Sequence, residues 1–362
     1  MSFPRARSLW MLLLTALAAG CASPGAPIPT DDPDDDPLKP PPALIGARLP
    51  PLKQAPADFH FLIDRSASWS KRADRWHGLT RAVSAFMKEH EGTPQYAATV
   101  FPQGGREDGS CEASDYTTPD RAFATSSDGI RRLLDKITFG GGSTLGPALE
   151  GTIRDASTHA AENPTRTTSV IVLTDATPND DETCDRSAWE TVATIAGQGF
   201  GNGLGPVVHV HVISVVSGGI SPDHFARMDD IVDAGNGYAA VVNGSTSDVR
   251  DAGGLALDDI YARMTTCTMI VPPNVHPEEL TIRSPDGTVT KAKRVSDATA
   301  CEGSKAAFYL DDPENPHLAT LCSGPSGRAG LCEATYVRAE SAGAPAITIS
   351  ATTPKRAVGL HD

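Results

Sequence analysis

The hydrophobic pattern of this chain changes twice along its length. Between residues 22 and 56, ASPGAPIPTDDPDDDPLKPPPALIGARLPPLKQAPA is dominated by proline and aspartate, and apolar residues recur at no regular interval. Such a stretch cannot bury a core, so residues 21–56 are read as an extended tether. From residue 57 apolar runs alternate with amphipathic stretches. FHFLI (59–63), YAATVF (96–101), SVIVLT (169–174) and VVHVHVISVV (207–216) read as strands. The third is the clearest central strand, because it is β-branched and uncharged. Residues 71–89 read as a helix with Trp76, Leu79, Val83, Phe86 and Met87 on one face. SSDGIRRLLDKI (126–137) reads as a short helix with a serine cap, and further helices are expected near 221–234 and 247–264, the last with Leu257, Ile260 and Met264 at helical spacing. Strands alternating with helices predict an α/β fold, a doubly wound and mostly parallel sheet, over residues 57–265.

After Cys267 the helical period disappears. LTIRSPDGTVTKAKRV sets Pro285-Asp286-Gly287 between two alternating runs, a hairpin signal, and KAAFYL and HLATLC flank a second turn, DDPENP. Residues 266–340 are therefore read as a small β-rich module stapled by cysteines, and 341–362 as a tail.

The first twenty residues follow another logic. Arg5 and Arg7 precede the apolar run LWMLLLTALAAG, and Cys21 follows it. A basic start, a short apolar run and small residues before the cut make an export signal over 1–20, too short for a comfortable membrane span. Leu17-Ala18-Ala19-Gly20-Cys21 resembles a bacterial lipobox, with Ala18 where leucine is commoner. The resemblance implies lipidation at Cys21 and an anchor in the cell envelope. Ala22 is not the aspartate that retains some lipoproteins at an inner membrane, so the outer membrane is expected if the source is Gram-negative. Export permits disulfides. Without Cys21, six cysteines remain, namely Cys111, Cys184, Cys267, Cys301, Cys322 and Cys332, an even number that suggests bridges and contains no CxxC of a zinc site. The formal net charge of −14 argues against nucleic-acid binding, which needs basic patches.

Candidate chemistry gathers at strand ends, where open parallel sheets bind ligands. The first strand runs into Asp64-x-Ser66-x-Ser68. Gly140-Gly141-Gly142-Ser143-Thr144-Leu145-Gly146 forms a loop before a helix. Thr174-Asp175 ends the SVIVL strand. Together they offer two carboxylates and several hydroxyls at one rim, an all-oxygen set suited to a hard cation such as Mg²⁺. DRSAS, GGGSTLGPAL and VLTDATPN, in this order and context, resemble the three parts of the metal-ion-dependent adhesion site of von Willebrand factor type A domains, over roughly residues 57–265. The resemblance implies a Mg²⁺ site, with Mn²⁺ or Ca²⁺ as alternatives. Ser66 and Ser68 would bind metal through hydroxyls, and Asp64 and Asp175 mainly through water. Counting back from Leu149 selects Ser143 as the further ligand, whereas residue type selects Thr144, and both stay open. An open coordination position would take an Asp or Glu carboxylate from a protein partner. Arg65 and Ala176 stand where many such domains have glycine, and Arg65 is expected to bring positive charge near the rim.

FPQGGREDGSCEASDYTTPD and TDATPNDDETCD, around that glycine loop, resemble exported bacterial lipoproteins with this domain, in which a cysteine after strand two pairs with one after the metal-site aspartate. The resemblance implies a Cys111–Cys184 bridge and leaves the pairing of Cys267, Cys301, Cys322 and Cys332 open. His209 and His211 share a strand face but lack a third ligand nearby, so core histidines are expected. GFGNGLG (199–205) precedes a strand and reads as a loop. The acidic NDDETCD loop (179–185) reads as a solvated rim. No nucleophile setting or general base beyond the aspartates is found, so neither an enzyme nor a small-molecule substrate is expected. Two functional expectations stand: a metal-dependent adhesion module on the envelope, and a structural envelope lipoprotein whose scaffold is metal-free.

Overall fold

Every residue of β1 (Ala57–Asp64) is buried, which only a strand inside a sheet covered on both faces can achieve. The computed structural model describes residues 53–103, 109–175, 184, 188–201, 206–216, 222–273, 275–283, 289–296, 299–301, 306–314, 316–322, 336–340 and 347–350. These lie in one compact unit, Gly46–Asp362. The export signal, Cys21, Cys332, Ala176 and the turn at Pro285–Gly287 lie outside the described residues, as does the NDDETCD loop apart from Cys184.

After β1 the chain forms a 3-10 turn (Ala67–Arg72), α1 (Ala73–Glu89), β2 (Tyr96–Phe101), β3 (Arg121–Ala124), α2 (Asp128–Leu134), α3 (Leu145–Glu162) and β4 (Thr167–Thr174). Then come α4 (Trp189–Gly201), β5 (Val208–Val216), α5 (Pro222–Ala234), β6 (Ala239–Asn243) and α6 (Thr246–Thr266). The sheet order is β3-β2-β1-β4-β5-β6. All neighbours are parallel except the edge pair β2–β3. This is the doubly wound sheet that the sequence pattern predicts.

Alternation along the strands divides the core in two. Phe59, Phe61 and Ile63 of β1 meet Leu79, Val83 and Phe86 of α1 and Leu257, Ile260 and Met264 of α6. Leu62, Val170, Val172 and Val210 meet Leu149 and Ile153 of α3, Ile195 of α4 and Ile231 of α5 on the opposite face. At about 25 cal/mol per Å² of apolar surface removed from water, these two layers dominate the domain's stability.

Several local expectations are corrected. At the start of α2 Ser127 holds the cap position without a side-chain capping bond, and Ser126 Oγ accepts the Asp128 N–H at 3.4 Å instead, whereas Ser245 and Asp248 form a full capping box on α6. The glycine-rich stretch from 199 is not all loop, since α4 runs to Gly201. A Cβ on Gly199 would lie 3.1 Å from Ile153 and 3.2 Å from the Val208 carbonyl, so close packing explains the glycine better than a turn does. The edge strands β3 and β6 had no sequence signal, being short and largely half-exposed or exposed.

The second sheet contains β7 (Thr268–Ile270), β8 (Glu279–Arg283), β9 (Val289–Arg294), β10 (Ala307–Leu310), β11 (Leu318–Leu321), β12 (Tyr336–Glu340) and β13 (Ile347–Ser350), in the order β13-β12-β8-β9-β10-β11-β7. β8 with β9, and β10 with β11, are antiparallel neighbours, as the two turn signals require. The sheet reaches Ser350, into the segment read as tail. It also takes in the end of the stretch read as tether, because Ala55 N–H donates to Thr268 O and Ile270 N–H to Lys53 O. Its own core contains Met269, Leu280, Ile282, Phe308 and Leu321. Cys301 and Cys322 are disulfide-bonded, and Cys267 is also in a disulfide. Among the described residues no helix is long and apolar enough to cross a membrane.

Candidate functional site

Parallel pairing brings the ends of β1 and β4 side by side, so Asp64 and Asp175 meet at one edge although 111 positions separate them. The chain leaves β1 into the 3-10 turn, which carries Ser68 and, four residues on, Arg72. The glycine loop lies against this turn. Gly140 N–H donates to Arg65 O and Ala67 N–H to Gly141 O, both at 3.0 Å. Gly141 has φ +85°, a conformation side chains rarely adopt, and this explains a glycine there.

The polar side chains form one connected set. Ser66 N–H donates to Asp64 Oδ1 at 2.7 Å, and the Thr174 hydroxyl donates to Oδ2 at 2.6 Å. Ser68 Oγ donates to Asp175 Oδ1 at 2.7 Å. Ser66 and Ser68 hydroxyls lie 2.8 Å apart. With its proton committed to Asp175, Ser68 accepts from Ser66 in that contact. Arg72 Nη1 donates to Asp175 Oδ2 at 3.0 Å and to the Asp175 carbonyl at 2.8 Å. Burial pushes the Asp64 carboxyl up to about 6 against the opposing bonds from Thr174 and Ser66, and the Asp175 charge adds to the rise. Burial also raises Asp175, opposed by the Ser68 hydroxyl and Arg72.

Ser143 and Thr144 differ sharply. Thr144 is fully buried and its hydroxyl lies 2.8 Å from Tyr116 Oη, which donates to Ser110 O at 3.0 Å. With the Tyr116 proton given to Ser110, Thr144 is the donor in their shared bond. Ser143 is half-buried in the same loop. The segment 109–116 thus clamps Thr144 from one side, and a Cβ on Gly109 would approach it to 2.9 Å. Cys111, in this segment, is joined by a disulfide to Cys184, beyond the end of β4.

The set could hold a hard cation. In an octahedral shell with metal–oxygen distances near 2.05 Å, adjacent oxygens lie about 2.9 Å apart, close to the 2.8 Å between the two serine hydroxyls. Among the described residues, the carboxylate oxygens of Asp64 take only neutral donors, which leaves their charge without a counter-ion from them. Among the described residues, no group of three or more His, Cys, Asp or Glu is placed to hold a metal. Arg65 does not face this set. Its guanidinium donates to Pro102 O and Thr138 O at the neighbouring edge, correcting the expected charge at the rim.

The other motifs stand apart. His209 and His211 are buried on β5, and His209 Nδ1 lies 2.9 Å from Asn236 O. Thr99, His60 and Asp155 are aligned like a hydrolytic triad, but Thr99 is fully buried inside β2 and no substrate can reach it. Arg72 and Tyr116 escaped sequence reading. Neither carried a local signal, since Arg72 meets Asp175 across 103 positions and Tyr116 meets Thr144 across 28.

A six-stranded, mostly parallel sheet with helices on both faces, and hydroxyls and two aspartates converging where β1 and β4 end, is the arrangement that the sequence resemblance to von Willebrand factor type A domains implies. No protein-family model matches the sequence, and no curated protein matches it. Solved structures do match. BatB from Bacteroides thetaiotaomicron is 14% identical, with a TM-score of 0.35 over 54% of this chain and 95% of that one. The SpRpn10 VWA domain is 11% identical, with a TM-score of 0.36 over 55% of this chain and 94% of that one. The pilus adhesin SpaC from Lactobacillus rhamnosus GG, in its open conformation, is 11% identical, with a TM-score of 0.42 over 83% of this chain but only 44% of its own.

Proposed function

We propose that this protein is a metal-dependent protein-binding module, carried on the bacterial envelope by a lipid on Cys21. The observation that carries the reading is the rim itself, two serine hydroxyls 2.8 Å apart joined to a buried aspartate. Ser66 and Ser68 would offer hydroxyl oxygens to Mg²⁺. Asp64 and Asp175 would act through water, since each already accepts hydrogen bonds on both carboxylate oxygens. Ser143 or Thr144 would complete the protein's share, Ser143 half-buried in the glycine loop and Thr144 fully buried against Tyr116. The bound cation would supply an electrophilic position for an Asp or Glu carboxylate of a protein partner. The neutral hydroxyls leave that positive charge poorly compensated, which favours an incoming acid. Nothing in this scheme makes or breaks a covalent bond.

A second reading is a structural envelope protein with a metal-free scaffold. The Arg72–Asp175 ion pair favours it, since a guanidinium already answers one of the two rim carboxylates.

Titration of the full chain with Mg²⁺ and Mn²⁺, by calorimetry and thermal shift, separates the two. Saturable heat and a raised melting temperature, both absent in an Asp64→Ala, Ser66→Ala double variant, are the expected result. A parent protein unmoved by either metal would leave the structural reading. Mass spectrometry of the mature N-terminus would test lipidation at Cys21 independently.

A further inference from the structure

Two carboxylates stand at the rim, and their partners differ in kind. Asp64 accepts from a backbone N–H and a threonine hydroxyl. Asp175, its side chain fully buried, accepts from the Ser68 hydroxyl and from Arg72, whose side chain is 27% exposed. Arg72 closes the same 3-10 turn that presents Ser68, so one short element brings both a proposed metal ligand and a positive charge to Asp175. Its Nη1 is fixed twice, by Oδ2 at 3.0 Å and by the Asp175 carbonyl at 2.8 Å, which holds the guanidinium in place. Other rim arginines point elsewhere, Arg65 to Pro102 O and Thr138 O and Arg75 to Val216 O. Among the described residues, the ion pairs made by Asp64 and Asp175 comprise Arg72–Asp175 alone.

We propose that Arg72 is an internal competitor for the cation: its guanidinium and a divalent metal draw on the same Asp175 carboxylate, so Arg72 sets the metal concentration at which the rim becomes competent for an acidic partner. The inference rests on the metal-binding reading above. A like charge beside a half-buried site opposes entry of a second cation, and the same guanidinium keeps Asp175 compensated until one enters. The envelope protein would then stay folded where metal is scarce and engage its partner only above a threshold.

The test compares the full-length parent with Arg72→Met, which keeps the aliphatic stem, and with Arg72→Gln, which keeps an N–H donor for the Asp175 carbonyl. Mn²⁺ and Mg²⁺ are titrated by calorimetry, and melting is followed in chelator and in saturating Mn²⁺. Both variants are expected to bind Mn²⁺ about tenfold more tightly than the parent, the effect of removing one nearby like charge. In chelator they should melt below the parent, and saturating Mn²⁺ should close that gap. Equal affinity in parent and variants would overturn the proposal by making Arg72 a bystander. Weaker binding in the variants would overturn it by making Arg72 a positioning residue for Asp175. If neither parent nor variants respond to either metal, the metal reading itself falls and takes this inference with it.

Discussion

Asp58 and Asp64 sit at opposite ends of the same strand, both fully buried, and their surroundings differ in one respect. At the start of β1, Asp58 is held by both ends of the Arg166 guanidinium, by His159 Nε2 at 2.8 Å and by the Gln95 N–H at 2.7 Å. Phe123 stacks on the His159 ring and covers this cluster. Burial alone would raise the Asp58 carboxyl, but the Arg166 and His159 bonds outweigh it and hold it below the usual range. At the far end, burial drives Asp64 up to about 6 because its donors are neutral. A buried carboxylate supplied with the chain's own cation is a closed structural device. One left with neutral donors has its charge open to an external partner. Asp175 stands between these cases, with one arginine on one oxygen.

The largest effect is expected at the closed end. Arg166→Met leaves Asp58 buried without its main counter-charge and should cost about 3–5 kcal/mol in urea unfolding. A cost under about 1 kcal/mol would break the comparison, since Asp58 would then be no better satisfied than Asp64. Next comes the Cys111–Cys184 disulfide. A Cys111→Ser, Cys184→Ser double variant opens a loop spanning 73 positions, and the chain-entropy model gives about 4 kcal/mol for it. Non-reducing denaturation of parent and variant measures this, and a loss confined to metal affinity would mean that the bridge acts only on the rim.

The pH response adds three buried histidines to these carboxylates. His60, His209 and His211 are buried with pKa lowered by burial, His211 further lowered by the facing charges of His209 and Arg263. A base whose folded pKa is depressed gives stability that is present above its unfolded value near 6.5 and is lost as pH falls below it. Each such group loses up to about 1.4 kcal/mol per pH unit between its unfolded and folded pKa values. The raised Asp64 and Asp175 work in the opposite sense over part of that range, so the diagnostic is a difference. Among the described residues, neither buried ring nitrogen of His211 has a hydrogen-bond partner. His211→Leu should therefore make urea midpoints near pH 5.5 approach those near pH 7.5, and an unchanged drop would shift the acid sensitivity to the other two histidines.

The smallest effect on stability is expected at the open end. Asp64→Asn removes a buried charge that no cation among the described residues compensates, so unfolding in chelator should change by less than about 1 kcal/mol or become harder. The same variant should abolish any metal-dependent rise in melting temperature. A loss as large as that of Arg166→Met would place Asp64 among the structural aspartates and remove the contrast.

Much of the scaffold was legible because it is written locally. The apolar runs at 59–63, 96–101, 169–174 and 207–216 are strands, and the periodic faces of α1 and α6 are buried where their spacing puts them. The edge strands β3 and β6 were not legible, since a short, partly exposed strand carries no alternation to read. Nor was the reach of the second sheet. Lys53 and Ala55 bond to β7 through backbone groups, whose pairing leaves no trace in residue type.

At the rim the sequence by itself determined that β1 and β4 run into aspartates with hydroxyls close behind, because the residues following a strand are fixed by chain order. Only the tertiary structure decided what those groups meet. Arg72 reaches Asp175 across 103 positions, Thr174 reaches Asp64 across 110, and Arg166 reaches Asp58 across 108. Tyr116 takes the Thr144 hydroxyl and leaves Ser143 half-buried. Hydrophobic periodicity specifies which face of each element is buried, but charge compensation depends on which distant side chains the packed elements bring within hydrogen-bonding range, and that distance exists only once the sheet has closed between its helices.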